Sequence, residues 1–164
     1  MNNPTETYSQ YFGGGLAIDD ISLTGDFIAS QPTYDSWAAG PAGDVDSNGD
    51  GVPNSIAWVL GASAPNASST SLMPTLDNTS EPDYMIFNYR RSDEANNDPM
   101  TAIEVEYGSS LSSWTTAVHD NDTVMISVDD DFHGTGIDRV QVKLKTSLAD
   151  DARLFGRLKV DITE

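Results

Sequence analysis

Apolar and polar positions alternate with a period of two through much of residues 72–164. In 138-DRVQVKLKT-146, Val140, Val142 and Leu144 alternate with Gln141, Lys143 and Lys145. In 102-AIEVEYG-108, Ile103, Val105 and Tyr107 alternate with Glu104 and Glu106. A period of two sends successive side chains to opposite faces of a strand. Four more runs carry the same composition: 84-YMIFNYR-90, 113-SWTTAV-118, 123-TVMISV-128 and 154-LFGRLKVDI-162. Polar turn material, 92-SDEANNDP-99, 119-HDND-122 and 130-DDFHGTG-136, separates them. Six or seven short strands at this spacing predict a mainly β fold, an antiparallel sandwich.

Upstream the pattern changes twice. Residues 1–30 contain 16-LAIDDISLTGDFIAS-30, in which Leu16, Ile18, Ile21 and Leu23 predict one strand with an irregularity at Asp19 and Asp20. A lone strand needs a partner, from the later domain or from an upstream one. Residues 31–71 hold an Asp/Asn/Gly-rich stretch followed by 55-SIAWVL-60. Asn54 is the expected N-cap of a short helix there, Gly61 its terminator, and Ile56, Val59 and Leu60 its buried face. From Ala62 to Ser71 the Ala, Ser, Asn, Pro and Thr content reads as a linker. The organisation is thus an N-terminal strand segment (1–30), a loop, helix and linker (31–71), and a β-sandwich (72–164).

Charge narrows the partners. The 164 residues carry 26 Asp and Glu against 8 Lys and Arg, a net −18, and no cation precedes Arg90. Nucleic-acid backbones and anionic membrane surfaces call for the opposite sign. Multivalent cations are what such a chain attracts, although an acidic surface also suits secreted proteins of saline water. There is no cysteine, hence no disulfide or thiolate metal site. No apolar run approaches the ~20 residues of a membrane-spanning helix. The start, Met1-Asn2-Asn3-Pro4, has no basic or apolar leader pattern, and the chain reads as a piece of something longer.

The densest chemistry is 44-DVDSNGDGVPNSIAWVLG-61. Calcium takes six to eight oxygens, which a loop supplies by alternating side chains with a glycine at its sharpest turn. Counting from Asp46, Asp46, Asn48 and Asp50 fall at positions one, three and five. Gly51 falls at six, the Val52 carbonyl at seven and Asn54 at nine. Position twelve is Ala57, which offers no oxygen. Counting from Asp44 instead places Asp44, Asp46, Asn48 and Asp50 at one, three, five and seven, and ends on Ser55. The first register is preferred because Gly51-Val52 then feeds the helical turn, with Asp44 as an extra ligand or outer charge. The competing reading is an Asx-rich turn without metal.

The stretch 44-DVDSNGDGVPNSIAWVLGASAP-65 resembles the calcium-loop-plus-short-helix element near the C-termini of large secreted proteins of Verrucomicrobia and Planctomycetes. That element is related to thrombospondin type 3 and dockerin repeats, and commonly runs Asp-x-Asp-Gly-Asp-Gly-Leu-x-Asn-Leu-x-Glu-Tyr-x-Leu-Gly. Its Glu corresponds to Ala57, its Tyr to Trp58 and its closing Leu-Gly to Leu60-Gly61; the departure falls on a calcium ligand. Downstream, 86-IFNYRR-91, 104-EVEYGSSLSSWT-115 and 155-FGRLKV-160 are similar to the sandwich that follows the loop in that family. Upstream, 17-AIDDISLTG-25 resembles the closing strand of a jelly-roll or laminin-G-like domain. The resemblance implies an accessory module of multidomain extracellular proteins, often ones that act on or adhere to polysaccharides, with no catalytic activity of its own.

No other group of residues makes an active-site pattern. His119 and His133 lie in polar turns and read as solvated. Asp129, Asp130 and Asp131 with Asp138 are either a second calcium site or a solvated acidic loop. Of Arg90 and Arg91 only one can face inward, and an ion pair with a neighbouring strand is expected. Trp37, Trp58 and Trp114 read as core anchors, one for each part of the fold, rather than a sugar platform. The expectation is a non-catalytic, extracellular or cell-surface module. Calcium at Asp44, Asp46, Asn48, Asp50, Val52 and Asn54 would stiffen the joint between an upstream domain and a C-terminal immunoglobulin-like sandwich. Neighbouring domains of the parent protein are the expected partners. The rival readings are a polysaccharide-binding module and a self-assembling subunit that lends its N-terminal strand to an identical copy.

Overall fold

The computed structural model describes residues 31–163. The strand expected within 16–30 lies outside them. The alternating runs form β2 (Tyr84–Ser92), β3 (Thr101–Ser110), β4 (Ser113–Thr116), β5 (Val124–Asp129), β6 (Ile137–Lys145) and β7 (Phe155–Ile162), preceded by a short β1 (Thr75–Asp77). All pairings are antiparallel, in two sheets ordered β1-β2-β6-β5 and β4-β3-β7. The six expected strands are therefore present. β4 ends two residues early, and β1 was not anticipated because 75-TLD-77 is too short to show a period.

β6 keeps the alternation strictly: Asp138, Val140, Val142 and Leu144 are buried and the residues between them are less so. Its register with β2 sets Leu144 opposite Met85, Val142 opposite Phe87 and Val140 opposite Tyr89. These residues share one buried cluster with Val105 of β3, and Leu158 and Val160 of β7 pack against it. The two sheets thus close on one core. At Gly156 of β7 they approach so nearly that a Cβ would lie 3.2 Å from the Phe87 ring.

Three short α-helices occur among the described residues. α1 (Tyr34–Ala38) has a reciprocal capping box between Thr33 and Ser36. α2 (Asn54–Val59) is the expected one, and α3 (Asp93–Asn97) occupies a stretch read as turn. α3 forms because the Ser92 side chain accepts the Ala95 N–H and Asp93 and Glu94 sit in the first turn, where the helix dipole favours acids.

α2 departs from expectation in two ways. Pro53 is its N-cap residue, not Asn54, which is the first helical residue and makes no capping bond. And its burial is almost all-round, since Ala57, Trp58 and Val59 are buried along with Leu60, while Ile56 is only half-buried. Burying Val59 and Leu60 contributes about 1.5–3 kcal/mol each. Trp58 anchors α2 through Nε1 to the Thr101 hydroxyl (3.3 Å), and Ser92 Oγ donates to the Trp58 carbonyl (3.1 Å). As expected, Gly61 ends the helix, with φ +79°. A side chain there would also meet Ile137, its Cβ falling 2.5 Å from Cδ1.

Trp37 and Trp58 do not anchor separate parts. Their ring centroids are 5.5 Å apart, and Tyr34 lies 6.5 Å edge-on to Trp58. α1 is fastened to the body by the Tyr34 N–H on Asp98 Oδ2 (2.9 Å) and by Trp37 Nε1 on the Ala62 carbonyl (2.9 Å).

Candidate metal centre

Loop 44–54 runs from the surface into α2, and its polar side chains are turned onto backbone. Asp46 accepts the N–H of Gly49 on Oδ1 and of Gly51 on Oδ2, both at 2.8 Å. Asn48 Oδ1 accepts the Asp50 N–H at 2.9 Å. Asp50 Oδ1 accepts the Val52 N–H at 3.0 Å. The two glycines at the turns, Gly49 and Gly51, have φ of +72° and +88°, values at which an L side chain is strained. The sequence folds this way locally because Asx side chains satisfy the N–H groups of a tight turn that has no regular partner.

The loop also reaches outward. Asn48 Nδ2 donates to the Ala67 carbonyl at 2.6 Å, and Asp50 Oδ2 accepts the Ser69 N–H at 2.7 Å. That bond is the leading cause that holds the Asp50 carboxyl below its ordinary value. The stretch read as linker is therefore bonded down: Ser69 is 1% exposed and Ala62 is buried.

The six candidate ligands divide. Asp46, Asn48 and Asp50 share the turn. Asp44 is exposed. The Val52 side chain is buried in a small apolar cluster with Ala57 and Ala62, while the carbonyl expected as the donor belongs to the loop backbone. Asn54 is 1% exposed and faces Ser47, with Nδ2 donating to Ser47 Oγ at 2.9 Å and Oδ1 taking the Ser47 N–H at 3.4 Å. Among the described residues no group of three or more His, Cys, Asp or Glu side chains is set to hold a metal ion.

For calcium the donors are right in kind and short in number. Asp46, Asn48 and Asp50 offer only hard oxygens, and an oxygen that accepts one N–H keeps a second lone pair, but Asp50 Oδ2 already takes two bonds, from the Ser69 N–H and from Asn48 Nδ2 at 3.2 Å. The position that would supply a bidentate carboxylate is Ala57, packed against Val52 and Ala62.

No family model, curated protein or solved structure matches this chain.

The remaining candidates are accounted for by their neighbours. Asp129 and Asp138 do not converge. Asp129 pairs across strands with Arg139, next to Asp138 on β6, so the two carboxylates take opposite faces. Asp129 bonds Arg139, and Asp138 bonds Arg91 at 2.8 Å. Asp131 Oδ1 accepts the Gly136 N–H at 2.6 Å. His119 is not simply solvated: Nδ1 accepts the Ile126 N–H at 2.9 Å, which leaves Nε2 to donate to Asn121 Oδ1. His133 lies edge-on to Phe132 at 5.0 Å. Trp58 is 1% exposed and Trp37 packs on it, while the Arg157 guanidinium covers Trp114 at 4.2 Å. The three indoles make no exposed row.

Sequence reasoning missed the part played by the 67–69 backbone, where the Ala67 carbonyl accepts from Asn48 and the Ser69 N–H donates to Asp50. The only signal for it was the unusual number of Asx side chains in one loop, more than the loop's own N–H groups need.

Proposed function

We propose that the chain is a non-catalytic accessory module of a larger extracellular or cell-surface protein. In this reading it is an immunoglobulin-like sandwich braced by a calcium-stabilised loop, of the kind its loop-and-helix motif resembles. The observation that carries it is the double role of the Asp50 carboxylate. One oxygen closes the loop on Val52 and the other ties it to Ser69, so whatever orders the loop also orders the segment between α2 and the first sheet. A cation shared by Asp46, Asn48 and Asp50 would add to that brace and neutralise acids in the cation-free half of the sequence.

Thermal melting in millimolar calcium and in chelator tests this. Calcium at a hundred times its dissociation constant should stabilise by about 2.7 kcal/mol. The increment should vanish in Asp46→Ala and should not be reproduced by magnesium at the same concentration. Because Asp46→Ala also removes two loop hydrogen bonds, the quantity to compare is the calcium increment within each variant. Identical melting temperatures in calcium and in chelator for the unaltered chain would refute the calcium brace.

A further inference from the structure

In a chain of net charge −18, seven of the eight Lys and Arg side chains have a carboxylate partner among the described residues. The eighth is Arg90. Among the described residues its guanidinium makes one hydrogen bond, from Nε to the Leu60 carbonyl at 3.3 Å, and no ion pair. Leaving one arginine unpaired among so many acids is notable in itself. Its setting compounds this, because the residue directly across from Arg90 on β6 is Arg139. Like charges directly opposite on neighbouring strands destabilise a sheet.

The two arginines line a cleft of about 350 Å³, with Asn88, Thr75, Ser71 and His133 supplying polar groups and Met73 an apolar wall. The volume lies at the low end of the range for small-ligand sites. Arg139 is held in a fixed attitude: Nε bonds Asp129 Oδ2 at 2.9 Å, Nη2 bonds the same oxygen, and the guanidinium lies 3.6 Å over the Phe132 ring. This leaves part of its fork unused. Arg90 and Arg139 with Asp129 sum to one positive charge. His133 is lowered from its ordinary 6.5, by desolvation first and by Arg90 and Arg139 next, so it enters the cleft neutral at pH 7.

We infer that this cleft binds a small organic monoanion, about the size of one sugar residue, whose carboxylate or sulfate ester is gripped by the free fork of Arg90 with Arg139 beside it. Oxyanions that present two oxygens side by side match the guanidinium fork, and two arginines side by side become favourable once such a group lies between them. Asn88, Ser71 and Thr75 are suited to hydroxyls on the rest of the ligand. The site uses no residue of loop 44–54 and stands independently of the calcium reading.

The test is titration of the full chain, followed by amide and side-chain NMR, with glucuronate, glucose 6-sulfate and neutral glucose. Either anion should give saturable shifts centred on Asn88, Arg90 and His133, and glucose should give none there. Binding by the carboxylate alone or by the sulfate alone would identify which oxyanion source the cleft takes; both are expected results. Arg90→Gln should weaken binding by about tenfold or more, and Arg90→Lys should restore it only in part, since an ammonium lacks the fork. Met73 is 45% exposed, so Met73→Trp should leave the fold intact while filling the cleft and blocking the ligand. Equal shifts with glucose, no shifts at these residues, or unchanged binding in both Arg90→Gln and Met73→Trp would overturn the assignment.

Discussion

Asp50 and Ser69 are joined by a hydrogen bond of 2.7 Å across nineteen residues, donated by the Ser69 backbone N–H to a carboxylate oxygen of Asp50. The bond converts a stretch of Ala, Ser and Asn into part of the body. Asp50→Ala should release it, exposing the Ser69 amide to faster hydrogen exchange and lowering the melting temperature by a few degrees. Asp50→Asn, which keeps one acceptor oxygen, should retain part of the protection. Exchange rates at Ser69 and Val52, measured in chelator, separate this local effect from any effect of metal.

Ala57 stands where the resembling family has a carboxylate, and here it is 3% exposed among apolar neighbours. In chelator, Ala57→Glu should destabilise by more than ~2 kcal/mol, because it buries an unpaired charge. If the new carboxylate reaches a bound cation, calcium should recover much of the loss. Urea unfolding in the two conditions measures the recovery, and an equal loss in both would show that position 57 does not reach the ion.

Arg91 and Asp138 face each other across β2 and β6 on the core side, with side chains 20% and 6% exposed. Arg91 Nε is buried without a hydrogen-bond partner. Asp138→Ala should therefore cost about 3 kcal/mol, since it leaves a half-buried guanidinium without its carboxylate. Asp138→Ala combined with Arg91→Met should recover most of that. Chemical denaturation of the two single variants and the double variant closes the cycle.

Acid should unfold the protein partly through three aspartates. Asp50, Asp77 and Asp120 have carboxyls held below their ordinary 3.8, chiefly by the Ser69 N–H, the Ser80 hydroxyl and the Thr123 hydroxyl respectively. A lowered folded-state value means the unfolded chain takes up the proton more readily. The stabilisation is therefore complete above 3.8 and disappears as pH falls through the lower folded values. Melting temperatures between about pH 5 and about pH 2 should fall, and Asp120→Asn should make the decline shallower.

The strands were legible because each side chain's face follows from a period of two, and β6 shows it from Val140 to Leu144. What alternation could not reveal is which strands pair, or that Asp138 occupies a core position because Arg91 meets it there. α2 was legible from Gly61 and the apolar run before it. Its role as a core plug was not, because six residues cannot show whether one face or all of them are covered. Within the candidate centre, the spacing of Asp46, Asn48 and Asp50 located the turn. As the N-cap of α2, Asn54 was misplaced, because an Asx side chain beside a helix start can cap it or turn back, and here it bonds Ser47. The cleft at Arg90 was invisible for a further reason: an arginine without an ion pair among the described residues is recognised only once those residues' acids are placed in space.

The pairing order has a consequence for synthesis on the ribosome. The central contact of the first sheet joins residues such as Asn88 and Gln141, 53 apart, and the β3–β7 ladder joins Glu106 to Arg157, 51 apart. Closing such separations costs entropy before any contact repays it, and slows folding. A nascent chain emerging N-terminus first must therefore carry β2 and β3 with open edges until β6 and β7 have appeared. During that interval the acidic residues upstream, with no cations among them, give the unfinished strands a charged neighbour that discourages association with a second chain.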